Sequence, residues 1–253
     1  MKQSPGKIGF SQRVRLEWME QTASYVLAGM SDAEVDGSLQ ELLRSKVSVG
    51  GNAERGNREK IITILRRIWL PTNDENTQLR QRGLSLFQKC PKSEHLVLHW
   101  GMTMAAYPFW GAVAEAVGRL LDLQGSVTAA QAQRRLRERY GERETVARAA
   151  RRVMRCFIDW GVLLESESKG SYLPSSRVAV DRGELAGWLI EALLHSTASR
   201  RTSVDAALRS PALFPFSLPA MSCDQLLSSS PGVDIIHRGL DAELISVKRQ
   251  GPH

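Results

Sequence analysis

The densest group of chemically active side chains in the sequence is a run of arginines between residues 131 and 155. Nine arginines against three glutamates give this window a balance of +6, in a chain with a formal net charge of +7. An arginine guanidinium is planar and permanently charged, and its N–H donors match phosphate oxygens and the guanine edge. The nine are Arg134, Arg135, Arg137, Arg139, Arg143, Arg148, Arg151, Arg152 and Arg155. Such clustering favours a polyanionic partner, and nucleic acid is the first candidate.

Four of these arginines fall on one side of a helix predicted over residues 144–160. At about 100° per residue, the helix separates a basic arc from an apolar arc that includes Val153, Phe157 and Trp160. The basic arc consists of Arg148, Arg151, Arg152 and Arg155. It extends over roughly two turns, about the length of a major-groove contact. The alternative is an ordinary solvated face, but most of these arginines have no acidic residue three or four positions away to relieve their repulsion.

The elements around this helix have the order of a winged helix-turn-helix module. Thr128 and Gln131 form a capping box that opens the preceding helix, which Gly141 can end in a left-handed cap. After the basic helix, apolar and polar residues alternate around Lys169, a pattern typical of a short β-hairpin. We therefore predict a winged helix over residues 126–174, with Lys169 at the tip of the wing.

A second basic helix is predicted nearer the N-terminus. Ser31 and Glu34 form a capping box for a helix through Leu43, and a glycine-rich loop separates it from a helix over residues 57–69. The basic residues of this unit are Arg55, Arg58, Lys60, Arg66 and Arg67. They could add a second DNA-facing surface. They could equally form a solvated face, since they spread around the helix rather than along one stripe.

Residue types that support catalysis or metal binding are present, but not in diagnostic spacing. His95 and His99 stand one helical turn apart, yet local sequence places no third ligand, so we interpret them as core or capping residues. Two acidic groups resemble the magnesium ligands of a nuclease: Asp32, Glu34 and Asp36, and Asp234, Asp241 and Glu243. The first group begins a helix, where acids interact favourably with the helix dipole. Phosphate-loop, dinucleotide-binding, zinc-protease and serine-hydrolase motifs do not occur, so we predict no enzymatic activity and no cofactor.

Length and composition indicate a globular protein of one large or two modest domains. The chain has 253 residues, of which 42% are hydrophobic and 24% charged, close to the globular average. The three cysteines include no C-x-x-C pair, so they support neither a disulfide framework nor a zinc finger. The first thirty residues contain no apolar run of signal-peptide length. Both observations fit a cytoplasmic location best. Pro108 and several polar residues interrupt the uncharged stretch over residues 95–114, which predicts two core helices rather than a membrane span.

The predicted fold class is mainly α. We expect a helical N-terminal domain with the helix-turn-helix-like unit, then a winged helix-turn-helix, then a short mixed α/β C-terminal segment. The boundaries are residues 1–122, 123–182 and 183–253. The N-terminal domain is predicted to start with a helix over residues 10–28, and the C-terminal segment with a helix over residues 183–196, followed by short strands and loops.

The order of these features resembles the BrxA family, the small DNA-binding components of BREX bacteriophage-defence systems. The similarity covers roughly residues 20–175. It runs through ELLRSK, NREKIITILRRIWL and AAYPFWGAVAEAVGRLL, then through ETVARAARRVMRCFIDWGVLLES and KGSYLP. The resemblance implies a compact helical protein that binds duplex DNA without catalysis, with the basic helices and the wing as its binding elements.

The residues and the resemblance together predict a non-enzymatic protein that binds double-stranded DNA as an accessory component of a bacterial phage-defence system. Other defence-system proteins are further candidate partners, and a membrane is not. Two alternatives stay open. One is a sequence-specific transcriptional regulator that uses the same winged helix, and the other is an assembly subunit whose basic face meets an acidic partner. The sequence indicates neither an oligomeric state nor a preferred DNA site.

Overall fold

Helices make up most of the protein, and its strands are short. A computed structural model describes residues 8–47, 56–238 and 242–248. The structure is 62% helical and 11% strand, so the mainly α prediction is confirmed. The α-helices are α1 (Leu16–Leu27), α2 (Asp32–Arg44), α3 (Asn57–Trp69), α4 (Thr77–Lys89), α5 (His95–Ala106), α6 (Pro108–Gln124), α7 (Ala129–Tyr140), α8 (Glu144–Asp159), α9 (Gly183–Ser196), α10 (Val204–Leu208) and α11 (Cys223–Ser229).

The strands form three small sheets in the described part of the chain. They are β1 (Val127–Thr128), β2 (Leu163–Glu165), β3 (Ser171–Pro174), β4 (Val178–Ala179), β5 (Arg201–Ser203), β6 (Phe216–Ser217), β7 (Val233–Arg238) and β8 (Ala242–Val247). The first sheet is antiparallel in the order β1-β3-β2. Strands β4 and β6 pair in parallel, and the third sheet is antiparallel in the order β5-β8-β7.

Local sequence signals set the ends of several helices. The Ser31 side chain accepts a hydrogen bond from the Glu34 backbone N–H, and the Glu34 carboxylate accepts one of 2.7 Å from the Ser31 backbone. Thr128 and Gln131 form the same reciprocal pair at the start of α7. Gly141, with a φ of +83°, separates α7 from α8 in a conformation that other residues rarely adopt. The predicted capping boxes are therefore confirmed.

Helix α5 runs through the centre of the core. It ends at Ala106, and Pro108 occupies the first turn of α6, where proline needs no hydrogen-bond partner for its nitrogen. Trp100 of α5 stacks on Phe157 of α8 with 4.8 Å between ring centroids, and it meets Trp110 of α6 at 5.6 Å. Protein therefore surrounds α5, which explains its lack of charge. The two core helices predicted on either side of Pro108 are confirmed, and no described helix is long and apolar enough to cross a membrane.

Helix α9 packs so closely on α4 and α5 that glycine is needed at both contacts. A Cβ atom on Gly101 would lie 2.6 Å from the Trp188 ring, and one on Gly83 would lie 2.9 Å from it. A single cluster of buried hydrophobic residues extends from Phe10 to Ile245. The three predicted segments therefore share one core, and their separation into domains stays a prediction.

Two parts of the predicted secondary structure are wrong. The helix predicted from residue 10 begins only at Leu16, because Phe10 and Val14 pack as an extended segment against other helices. In the C-terminal segment, α10 and α11 occupy stretches that were predicted as strands and loops. Ser222 and Gln225 form a capping box for α11, a signal that the serine-rich composition of this region obscures.

Candidate nucleic-acid interface

The candidate site is built on the consecutive elements β1, α7, α8, β2 and β3. Val127 of β1 pairs with Tyr172 of β3, and β2 pairs with the other edge of β3. The sheet thereby joins the residue before α7 to the hairpin after α8 and holds both ends of the helix pair. The hairpin turns at Gly170, whose φ is +80°, and Lys169 is exposed at its tip.

Helix α8 has two very different faces. Val146, Val153 and Phe157 are among its buried residues, and they attach the helix to the core. The outer face carries four arginines, here called the arginine face: Arg148, Arg151, Arg152 and Arg155. Arg152 is partly exposed and the other three are exposed. The division into a basic and an apolar side therefore agrees with the helical spacing in the sequence.

Two members of the arginine face have acidic partners. Arg148 Nη2 lies 2.7 Å from Glu144 Oε1, and Arg155 Nη1 lies 3.3 Å from Glu165 Oε1. The expectation of unrelieved repulsion is therefore wrong for these two arginines. In both pairs, at least half of the arginine side chain and half of the glutamate side chain are exposed to solvent. Such surface pairs contribute about 0–1 kcal/mol, so a phosphate can replace the carboxylate at little cost.

Arg151 and Arg152 form no ion pair with a described residue, and Glu144 acts on Arg151 only at longer range. Neither has a carboxylate oxygen within 4.0 Å among the residues that the structure describes. Burial lowers the pKa of Arg152, and the neighbouring guanidinium groups of Arg148 and Arg151 lower it further. These charges repel one another in the free protein, and an anion placed between them would relieve that repulsion.

The extended segment before α1 lies along α8. Arg13 forms a bidentate ion pair with Asp159, in which Nε and Nη2 donate to the two carboxylate oxygens. The Val14 N–H donates to Cys156 Sγ at 3.3 Å, and Trp160 Nε1 donates to the Val14 carbonyl at 3.0 Å. The segment is thus fixed to the last two turns of α8 by both side-chain and main-chain contacts.

Gln12 and Arg13 line a shallow concavity of about 360 Å³ together with the arginine face. Sequence reasoning missed both residues, because a helix was predicted there. Phe10 and Val14, four positions apart, imitate the spacing of a buried helix face. The sequence holds no local signal for the contact with α8, because the contacted residues Cys156 and Asp159 lie more than 140 positions further along the chain.

The remaining arginines of the predicted window lie mainly on α7, and the structure divides them between two regions. Arg135 and Arg139 line a separate depression of about 370 Å³ between α6 and α7, where each has an acidic neighbour within 4.0 Å. Arg134 and Arg137 are exposed and have no carboxylate that close in the described ranges. Arg143, just before α8, donates to a main-chain carbonyl at the end of α7.

Two of the five basic residues of the N-terminal unit serve its internal packing. Arg58 Nη2 lies 3.3 Å from the last carbonyl of α2, and Arg66 forms ion pairs of 2.8 and 2.7 Å with two aspartates near the start of α2. Arg67 lies 4.8 Å from the centre of the Tyr107 ring. Lys60 is partly exposed, and Arg55 lies outside the described residues. Arg58 and Arg66 thus hold α2 against α3.

The acidic residues at the start of α2, which resemble metal ligands in the sequence, have structural roles. Asp32 and Asp36 are the partners of Arg66. Asp241 lies outside the described residues. Among the residues that the structure describes, no three or more histidines, cysteines, aspartates or glutamates are grouped so that they could hold a metal ion.

The two histidines of α5 form a buried cluster with Glu20. His95 Nδ1 and His99 Nε2 lie 2.9 and 3.0 Å from the two oxygens of Glu20. Trp69 Nε1 donates to His99 Nδ1 at 3.1 Å, so His99 Nε2 carries the proton and donates to the carboxylate. Burial opposes ionisation of Glu20, but the hydrogen bonds and charges of the two histidines outweigh it and lower its pKa to about 2. The pair is thus part of the core, as interpreted from the sequence.

No protein-family model matches the chain, and neither a curated protein nor a solved structure is significantly similar to it. Functional inference therefore depends on the geometry and charge of the chain's own residues.

Proposed function

We propose that the protein binds double-stranded DNA through a winged helix-turn-helix module over residues 126–174 and has no enzymatic activity. The observation that carries the proposal is the arginine face of α8, which is open to solvent and has two arginines without acidic partners in the described residues. The element order α6, β1, α7, α8, β2, β3 and the sheet order β1-β3-β2 support a winged helix.

Each part of the module has a proposed role. The arginine face contacts the major groove or the phosphates beside it, because α8 carries its four arginines together on its outer face. Arg134, Arg137 and Arg143 contact the DNA backbone on the α7 side. Lys169 supplies a backbone contact from the hairpin tip. Arg135 and Arg139 contribute to the overall positive field but face a different depression.

On the resemblance to the BrxA family we further propose that the protein is a cytoplasmic accessory component of a BREX-like phage-defence system. A DNA-binding protein without catalytic activity fits that place, since it can bring other components to the duplex. Co-purification of the tagged protein with neighbouring defence proteins after nuclease treatment would separate direct protein contact from contact through DNA.

Binding of a fluorescent duplex, measured by anisotropy over a salt series, tests DNA binding. With about six phosphates neutralised, affinity should fall about a thousandfold between 50 and 200 mM salt. Affinity that stays flat over this series would contradict the proposal. A preference of a thousandfold or more for one sequence over random duplex would favour the sequence-specific regulator instead.

A quadruple variant tests the arginine face directly. R148A/R151A/R152A/R155A is expected to abolish duplex binding and leave the thermal midpoint nearly unchanged, because the replaced side chains lie outside the core. The matched control removes four other exposed arginines and the same total charge: R44A/R119A/R177A/R209A. Equal loss of binding in both variants would mean that net charge, and not this face, attracts the duplex.

A further inference from the structure

The N-terminal segment brings a second element to the edge of the arginine face. Phe10 is buried between Tyr107 and Trp110, with ring centroids 5.3 and 5.2 Å away, and Val14 is fully buried beside α8. These two anchors hold the short stretch between them in one position. The residues in that stretch are therefore fixed parts of the surface rather than a loose end.

Asp159 is an acidic residue at the C-terminal end of the arginine face. It lies four positions after Arg155 and hence on the same arc of α8. A free carboxylate there would repel a phosphate, but Arg13 Nε and Nη2 donate to both of its oxygens. Arg13 Nη1 makes no hydrogen bond in the described part of the chain, and the Arg13 side chain lines the concavity. Arg13 can therefore neutralise Asp159 and still donate to a ligand.

We propose that Gln12, Arg13 and the arginine face form a cradle for one phosphate group of the DNA backbone. The inference rests on the proposed DNA binding and specifies the chemistry of that site. Arginine side chains that line one concavity can place several guanidinium groups around a phosphate and donate charge-assisted hydrogen bonds to it. The mutual repulsion of Arg151 and Arg152 with their neighbours, which the bound phosphate would relieve, supports the same assignment.

A concave site makes a different contact from a projecting recognition helix. Base edges lie deep in the major groove, so a helix has to protrude in order to read them. Phosphates lie on the outside of the duplex and fit a concavity on the protein. Contacts to phosphates position a protein without reading base sequence. The cradle therefore predicts similar affinity for duplexes of different sequence.

Two probes separate the cradle from DNA binding in general. Inorganic tripolyphosphate tests the cradle by titration calorimetry on the full chain, and a short duplex tests DNA binding by anisotropy. The wild type should bind tripolyphosphate at one site. Arg13→Ala should lower the affinity for tripolyphosphate and for the duplex about tenfold each, which is the effect of losing one charge-assisted contact. Arg15→Ala is the matched control, since Arg15 is exposed on the same segment and pairs loosely with Glu17 at 3.9 Å. It should bind both ligands as the wild type does.

The double variant R13A/D159N distinguishes a phosphate contact from simple masking of Asp159. It should bind tripolyphosphate about tenfold more weakly than D159N alone, because the contact from Arg13 Nη1 is missing. Equal binding by the two variants would mean that Arg13 only neutralises Asp159, and the cradle would be wrong. Unfolding midpoints confirm that each variant folds.

The outcomes also separate the two proposals from each other. If the wild type binds tripolyphosphate but no duplex, the cradle stands and the DNA-binding function fails. If it binds duplex and R13A behaves like R15A, DNA binding stands and the cradle fails. Absence of tripolyphosphate binding to the wild type would also overturn the cradle.

Discussion

Replacing Glu20 by glutamine should remove much of the acid sensitivity of the fold. Glu20 is held by His95 and His99 at 2.9 and 3.0 Å. Burial raises its pKa, but the hydrogen bonds and charges of the histidines have the larger, opposite effect and lower it from the ordinary 4.5 to about 2. Burial also lowers the pKa of His99 below its ordinary value of 6.5, against the influence of Glu20. The cluster therefore couples protonation to unfolding.

Both changes in pKa have the same sign for stability. The folded protein binds fewer protons than the unfolded chain below pH 6.5 at His99, and between pH 4.5 and about 2 at Glu20. The contribution of Glu20 and His99 to the free energy of unfolding is therefore fully present at neutral pH and is lost as the pH falls. The change from 4.5 to about 2 at Glu20 corresponds to at most about 3 kcal/mol. Solvent at the open side of the carboxylate reduces this to about 2 kcal/mol.

Urea unfolding followed by tryptophan fluorescence at pH 7, 5 and 3 measures this effect. E20Q should lower the free energy of unfolding by about 2 kcal/mol at pH 7, and the difference from the wild type should fall to roughly half of that at pH 3 and disappear only near pH 2. E41Q is the matched control, because Glu41 is exposed and Arg44 is its only ion-pair partner among the described residues. Its effect should stay within about 1 kcal/mol at each pH. A parallel loss of stability in wild type and E20Q on acidification would refute the reasoning.

Two further predictions concern packing and thiol chemistry. A Cβ on Gly118 would lie 2.0 Å from the Pro211 carbonyl oxygen, so G118A should destabilise the fold by about 3 kcal/mol. Gly37 has open space around it, so G37A should stabilise the fold by about 0.5–1 kcal/mol in the same unfolding assay. Opposite signs for two glycine-to-alanine changes within helices are the test, and equal effects would contradict it. Burial raises the pKa of the Cys156 thiol to about 12 and, with a contribution from a neighbouring carboxylate, that of Cys90 to about 11. Iodoacetamide at pH 8 should therefore label both cysteines far more slowly in the folded protein than in the urea-unfolded protein, as measured by mass spectrometry. Equal labelling rates would show that neither thiol is protected.

The elements with strong local signals were predictable from the sequence. Helix α3 has the predicted bounds, Asn57–Trp69, because its apolar residues recur at helical spacing and Pro71 directly follows Leu70. The hairpin around Lys169 and the helix break at Pro108 follow from turn and proline chemistry in the same way. In each of these cases a few neighbouring residues determine the structure, so no knowledge of distant contacts is needed.

Contacts between distant parts of the chain could not be predicted in this way. Arg66 belongs to a basic helix in the sequence, but its charge is used by two aspartates some thirty positions away. Arg13 lies in a stretch with helical spacing, yet it pairs with Asp159 from an extended segment. Sequence charge shows how many cations a region holds. Only the fold shows which of them are engaged within the protein.

The arginine face depends on the opposite side of the same helix. Like charges one turn apart destabilise a helix by only about 0.2–0.5 kcal/mol per pair. On the other side, Phe157 is fully buried among aromatic rings of α5 and α6, and burial of a side chain of this size contributes about 1.5–3 kcal/mol. The core contribution exceeds the repulsion, so α8 can keep Arg151 and Arg152 without acidic partners in the described structure. Stability and the proposed binding therefore reside on opposite faces of one helix, and this is why substitutions on the arginine face should separate the two.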